Sequence, residues 1–171
     1  MRHLVWLILI IVVLFAFGGC NEDGLEYKGQ SRLVIYSSTD IPQTKSGQNI
    51  EASEDNTLIF TGEDILWYDE STEEIRFREG TALKSFQENW ASHHYATICL
   101  ENEVLFTIPI IKSSRSLIYD DLTLIDKGGY KYYLGEGYPN SSYGSPLKKK
   151  KRAEAWEKFI DQLKAEGRYK K

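Results

Sequence analysis

Cysteine is almost absent: Cys20 and Cys99 are the only two in 171 residues. A disulfide-stapled scaffold is thereby excluded, and the fold must rest on its apolar core. Histidine is also scarce, at three. The adjacent pair His93-His94 would point to opposite faces of a strand and so cannot share one metal ion. No His-x-x-x-His, Cys-x-x-Cys, Gly-x-Ser-x-Gly or phosphate-cradling glycine loop occurs. The sequence therefore assigns no catalytic residue, no metal ligand and no cofactor. Glu63, Asp64, Asp69, Glu70, Glu73 and Glu74 lack the alternating Asp/Asn-Gly pattern of a calcium loop and read as solvated hairpin ends. No internal repeat is present, and low complexity is confined to one lysine run.

What is present begins at the N-terminus. Met1, Arg2 and His3 precede an unbroken apolar run from Leu4 to Phe17, followed by Gly18, Gly19 and Cys20. Charge, apolar stretch and small-residue exit are in signal-peptide order. Fourteen helical residues would span about 21 Å, against the roughly 30 Å of a bilayer core. The alternative is an uncleaved N-terminal transmembrane helix accommodated by local thinning of the bilayer.

Phe17-Gly18-Gly19-Cys20 resembles the lipobox of bacterial lipoproteins. The resemblance covers about the first twenty residues and implies that residues 1–19 are removed and that Cys20 is lipidated. It further implies acylation of the new N-terminus, and several acyl chains hold a protein on a membrane far more firmly than one. Asn21-Glu22-Asp23 is similar to the acidic tether that some Gram-negative lipoproteins carry. The resemblance thus implies a bacterial cell-envelope protein, lipid-anchored to a membrane, with the outer membrane among the candidates. The mature part is similar to small envelope lipoproteins in general, a likeness that implies location and no activity.

Charge is unevenly placed. Residues 148–171 hold ten Lys and Arg against four carboxylates, a net +6, whereas residues 21–147 hold ten against twenty-one, a net −11. Lys148, Lys149, Lys150, Lys151 and Arg152 form the densest run. It invites contact with anionic lipid, with another acidic surface, or with the acidic body itself. Nucleic acid is a poor fit for an exported, net acidic protein.

Polar residues 20–30 read as a tether and 31–171 as one domain. Strand character recurs at Leu33–Tyr36, Thr57–Phe60, Tyr95–Leu100, Val104–Ile111, Ser116–Tyr119, Leu122–Ile125 and Tyr130–Leu134. A hairpin is expected from Ile65–Asp69 and Glu74–Arg78, the first arm covered on both sides. Pro109 favours an edge or a bulge. Thr81–Ala91 has helical spacing, and Gly135–Ser145 reads as a loop. The polar stretch Ser37–Asn56 is long for a compact domain and so either mobile or functional. Cys99 reads as a buried thiol.

Ser145-Pro146 opens an amphipathic helix over about 146–166, with Ala153, Trp156, Phe159, Ile160 and Leu163 on one face. Together these predict an α+β fold: a predominantly antiparallel sheet of about eight short strands, with a C-terminal amphipathic helix packed on one face.

Tyrosines crowd residues 130–143, and those in the glycine-rich loop, Tyr138 and Tyr143, join Lys148–Arg152 as an expected binding surface. The function expected is a non-enzymatic binding or interaction module, held to a membrane through lipid on Cys20. Its partner would be an envelope protein, a glycan or anionic lipid. The alternative is an envelope hydrolase or inhibitor-like domain that uses the Ser37–Asn56 loop.

Overall fold

A computed structural model describes residues 31–42, 45–50 and 56–171. Cys20, the lipobox-like segment and the whole of the expected tether lie outside the described residues. Nine strands follow in the order β1 (Leu33–Ser38), β2 (Thr57–Thr61), β3 (Ile65–Asp69), β4 (Glu74–Phe77), β5 (Tyr95–Leu100), β6 (Glu103–Lys112), β7 (Tyr119–Asp126), β8 (Tyr132–Tyr138) and β9 (Tyr169–Lys170). Two α-helices, α1 (Thr81–Glu88) and α2 (Pro146–Ala165), complete the fold. All the strands join one mostly antiparallel sheet ordered β2-β1-β5-β6-β7-β8-β4-β3-β9. Only β6–β7 and β3–β9 are parallel. The fold is α+β, as the spacing of strands and helices predicts.

This order forces the sheet to curl. β2 lies at one edge and β3 is second from the other, yet a single 3-10 turn, Gly62–Asp64, joins them. The two ends of the sheet must therefore meet. Phe60 of β2 indeed stacks on Phe77 of β4, with ring centroids 4.2 Å apart. Inside the curl, Phe60, Phe77, Phe86, Tyr132, Phe159 and Leu163 belong to one continuous buried cluster. α2 closes it: Phe159 and Trp156 meet Tyr68 of β3 and Phe106 of β6 edge-on or tilted. Burying Phe159 and Leu163 completely is worth about 1.5–3 kcal/mol each.

Several local expectations are corrected. β3 carries a bulge between Ile65 and Trp67, so Ile65 and Tyr68, three apart, both face the core and the strand has one buried side. Pro109 lies neither at an edge nor in a bulge. The amide of Ile110 donates to His94 on the β5 side, so the nitrogen of Pro109 faces β7, whose pairing begins only at Ile110. Of the expected strands at 116–119 and 122–125, the second lies within β7, which takes only Tyr119 from the first; residues 116–118 are loop. The apparent break in β7, Asp120-Asp121, is a register shift at which Asp121 accepts from the amide of Leu122. β8 continues to Tyr138, through glycines that composition reads as loop. Gly135 leaves room beside Ile125, and Gly137 adopts φ +78° where its backbone passes Gly144. α1 ends at Glu88 and a 3-10 turn, Trp90–Ser92, takes over.

Of the long Ser37–Asn56 segment, Gly47, Gln48 and Ile50 bond to the β5–β6 turn through Val104 and Asn102; residues 43–44 and 51–55 lie outside the description. Among the described residues, no helix is long and apolar enough to cross a membrane.

Candidate binding groove and basic end

The basic run occupies the first turns of α2, where cations oppose the helix dipole. The body's own carboxylates offset this. Lys148 Nζ lies 2.7 Å from Asp120 Oδ1. Arg152, with a side chain only 10% exposed, bridges Asp121 of β7 and Glu136 of β8. Lys149 faces Glu73, whose carboxyl is pushed up by burial and then by Glu136, with Lys149 acting against them. Lys149, Lys150 and Lys151 are exposed. So the run divides: Lys148 and Arg152 fasten α2 to the sheet, and the three lysines between them stay exposed, Lys149 within electrostatic reach of Glu73.

The tyrosines divide as well. Tyr143 is exposed, whereas Tyr138 is buried in a small cluster with Ile111 and Ile125. Its hydroxyl donates to the carbonyls of Ser113 and Arg115. Tyr138 thus props the 113–118 loop from below and presents no contact surface, because its polar tip finds buried carbonyls rather than water. That loop puts Ile118 at 69% exposure. The amide of Ser145 donates to Asp120 at 2.7 Å, which brings the loop's end to the start of α2, where Leu147 is 62% exposed.

A second region was not legible as a site in the sequence. Between β2 and α1 lies a cavity of about 500 Å³, open to solvent on one side. One wall is the whole of β2, Thr57–Thr61; the other is Thr81, Ala82, Ser85 and Phe86 of α1, continued by Asn89. Positions 81, 82, 85, 86 and 89 fall on one helical face, and their side chains apart from Phe86 are small or polar. α1 is held in place by burial of Leu83 and Phe86 and by Gln87 Nε2, which donates to the Tyr132 hydroxyl at 3.0 Å. Asp64, Ser92 and His93 complete the lining.

His93 is the titratable group of interest there. Its Nδ1 lies 2.6 Å from Ser37 Oγ, and its ring stacks on Phe86. Burial, then the neighbouring His94, hold it below its ordinary value of 6.5. A serine–histidine contact suggests a nucleophile and its base, but Ser37 is only 2% exposed and substrate cannot reach it. Asp64, the one carboxylate in the lining among the described residues, accepts from both the amide and the hydroxyl of Thr61. His94 is exposed and bonds to the Thr39 carbonyl. Among the described residues, no group of His, Cys, Asp and Glu could hold a metal ion. Cys99 is fully buried, and burial pushes its thiol up to about 12.

What could have signalled the groove is Thr57-Leu58-Ile59-Phe60-Thr61, a strand with neither charge nor proline. Sequence alone does not tell that this strand ends at an edge. Compared with protein-family models, with curated proteins and with solved structures, the chain matches none, and the reading of its groove rests on its own geometry.

Proposed function

We propose that this protein is a lipid-anchored component of a bacterial cell envelope that acts by binding another envelope component, without catalysing a reaction. The observation that carries the binding role is the groove between β2 and α1: an open cleft of ligand size with an apolar floor and a polar rim. The lipobox-like Phe17-Gly18-Gly19-Cys20 supports the anchor. Exposed Lys149–Lys151, beside exposed Leu147 and Ile118, support a second contact with anionic headgroups.

The two contacts are compatible in length. Ser31 Oγ donates to Glu166 Oε1, so the chain enters at the C-terminal end of α2. The basic run is at the other end of that twenty-residue helix, about 30 Å away. Ten residues lie between Cys20 and Ser31, and the eleven steps reach up to about 36 Å.

The test uses the full-length protein in its native membrane. Mass spectrometry is expected to find diacylglycerol on Cys20, and an unmodified Cys20 behind an intact N-terminus overturns the anchor. A photo-crosslinking residue at Leu58, on the rim, is expected to capture a partner that the same residue at exposed Ala165 does not. Equal capture at both positions overturns the groove.

A further inference from the structure

We propose that the groove receives an extended peptide, net basic and with apolar side chains at alternate positions, as an additional strand on the free edge of β2. The proposal rests on the binding role argued above and names the chemistry of its partner.

The two edges of the sheet are treated differently. β9 is two residues long, ends in Lys170 with Lys171 following, and holds the Lys170 Nζ 3.9 Å over the Trp67 ring. Short length and lysine are ordinary guards against strand pairing. β2 is five residues long, contains no lysine and no proline, and pairs only with β1. Its outer edge has no strand neighbour among the described residues. Leu58, at 51% exposure, leaves an apolar side chain in the open on the same strand. Alternate amides and carbonyls of such an edge point outward and offer the main-chain bonds on which strand addition depends.

α1 makes this opening selective. It runs beside the edge and leaves about 500 Å³, room for one short extended segment. A second sheet, or another copy of β2 with its own helix, would collide with α1. Hence the edge is unguarded by lysine yet protected from sheet-to-sheet stacking.

The lining then specifies the guest. Ile59, Phe60, Ala82 and Phe86 form an apolar floor, and an extended chain sends every second side chain to one face. Thr57, Thr61, Thr81, Ser85 and Asn89 line the rim and can bond to polar side chains between. Among the described residues the lining contains one carboxylate, Asp64, and neither lysine nor arginine. Residues 21–171 as a whole carry −5, so a cationic segment is drawn in and an acidic one repelled.

The probe is a library of acetylated, amidated seven-residue peptides, randomised at each position and panned on the full-length protein in detergent. Enrichment of basic members with apolar residues at alternate positions is expected. Ser85→Trp, which fills the groove from an exposed helix position, is expected to lower their affinity at least tenfold; Thr81→Trp gives a second, independent blockade, and circular dichroism verifies that each variant folds. Next, the best peptide is N-methylated at one amide at a time. Strand addition predicts that every second methyl group abolishes binding, and that β2 amides gain hydrogen-exchange protection when the unmodified peptide binds.

Binding that Ser85→Trp and Thr81→Trp leave intact overturns both the groove and the strand. Binding lost in those variants but indifferent to N-methylation keeps the groove and overturns strand addition. No enrichment over the blocked variants overturns the proposal, as does full protection of the β2 edge before any peptide is added, which would mean the chain's own residues already pair there.

Discussion

At the scale of single residues, the fold depends on a few positions with no freedom of substitution. Gly137 combines φ +78° with a backbone neighbour: a Cβ placed there would lie 2.4 Å from the amide nitrogen of Gly144. Gly128 has the same φ in open space. Gly137→Ala is therefore expected to cost at least about 3 kcal/mol, where Gly128→Ala costs about 1–2, measured by urea unfolding. Equal losses would show that the turn yields and the close approach is not required. His93 gives a pH signature. The folded protein holds it below 6.5, so the unfolded chain takes up its proton first. Its stabilising share is complete above pH 6.5 and is lost as the pH falls through the folded value. Wild type should lose more stability than His93→Gln between pH 7.5 and pH 5, and parallel losses would refute the assignment. Neither position is legible beforehand. Gly137 sits in a tyrosine- and glycine-rich stretch that composition reads as loop, and the partner of His93, Ser37, is fifty-six residues away.

At the scale of elements, α2 was the most legible part of the chain, because Ser145-Pro146 and the 3–4 spacing of Trp156, Phe159, Ile160 and Leu163 state both its start and its buried face. Strand existence was legible too. Strand limits were not, wherever a bulge or a glycine changed the period, as at Ile65–Trp67 and at Gly135–Gly137. The end of α2 shows a further kind of information that sequence spacing hides. Glu166 is buried and accepts from Ser31 Oγ and Gln162 Nε2, each at 2.6 Å, while Arg168 reaches both Glu166 and Glu63. Glu63 in turn accepts from the amide of Ser31. Five residues from three separate parts of the sequence are thus joined at the domain's entry point. Because removing Arg168 leaves the buried Glu166 with its charge uncompensated, Arg168→Ala is expected to cost about 3–5 kcal/mol in urea unfolding. A loss below about 1 kcal/mol would place Arg168 among ordinary surface ion pairs.

At the scale of the whole molecule, the charge split read from composition has two outcomes in one run. Lys148 and Arg152 are consumed in holding α2 to the acidic sheet, whereas Lys149–Lys151 stay exposed. Replacing these three with glutamine in a Cys20→Ser protein, which removes the expected lipid, should weaken sedimentation with vesicles containing phosphatidylglycerol. About 1 kcal/mol per lysine is expected at low salt, with the difference vanishing in high salt. Undiminished sedimentation would leave the lysines as solvated surface. The groove could not be read at this scale, since its walls are separated by twenty residues and meet only when the sheet curls.

The joint at Ser31 also decides how the domain answers a pull. If the tether is drawn taut between membrane and a bound partner, tension arrives first at the bonds from Ser31 to Glu63 and Glu166, and then at the end of β1. β1 is flanked on both sides, paired at six positions with β5 and at four with β2. Load along its axis must shear these ladders together rather than peel them one rung at a time. The strand that takes the strain is the one that carries β2, so a tethered domain under tension would keep its peptide edge in place until it fails as a unit.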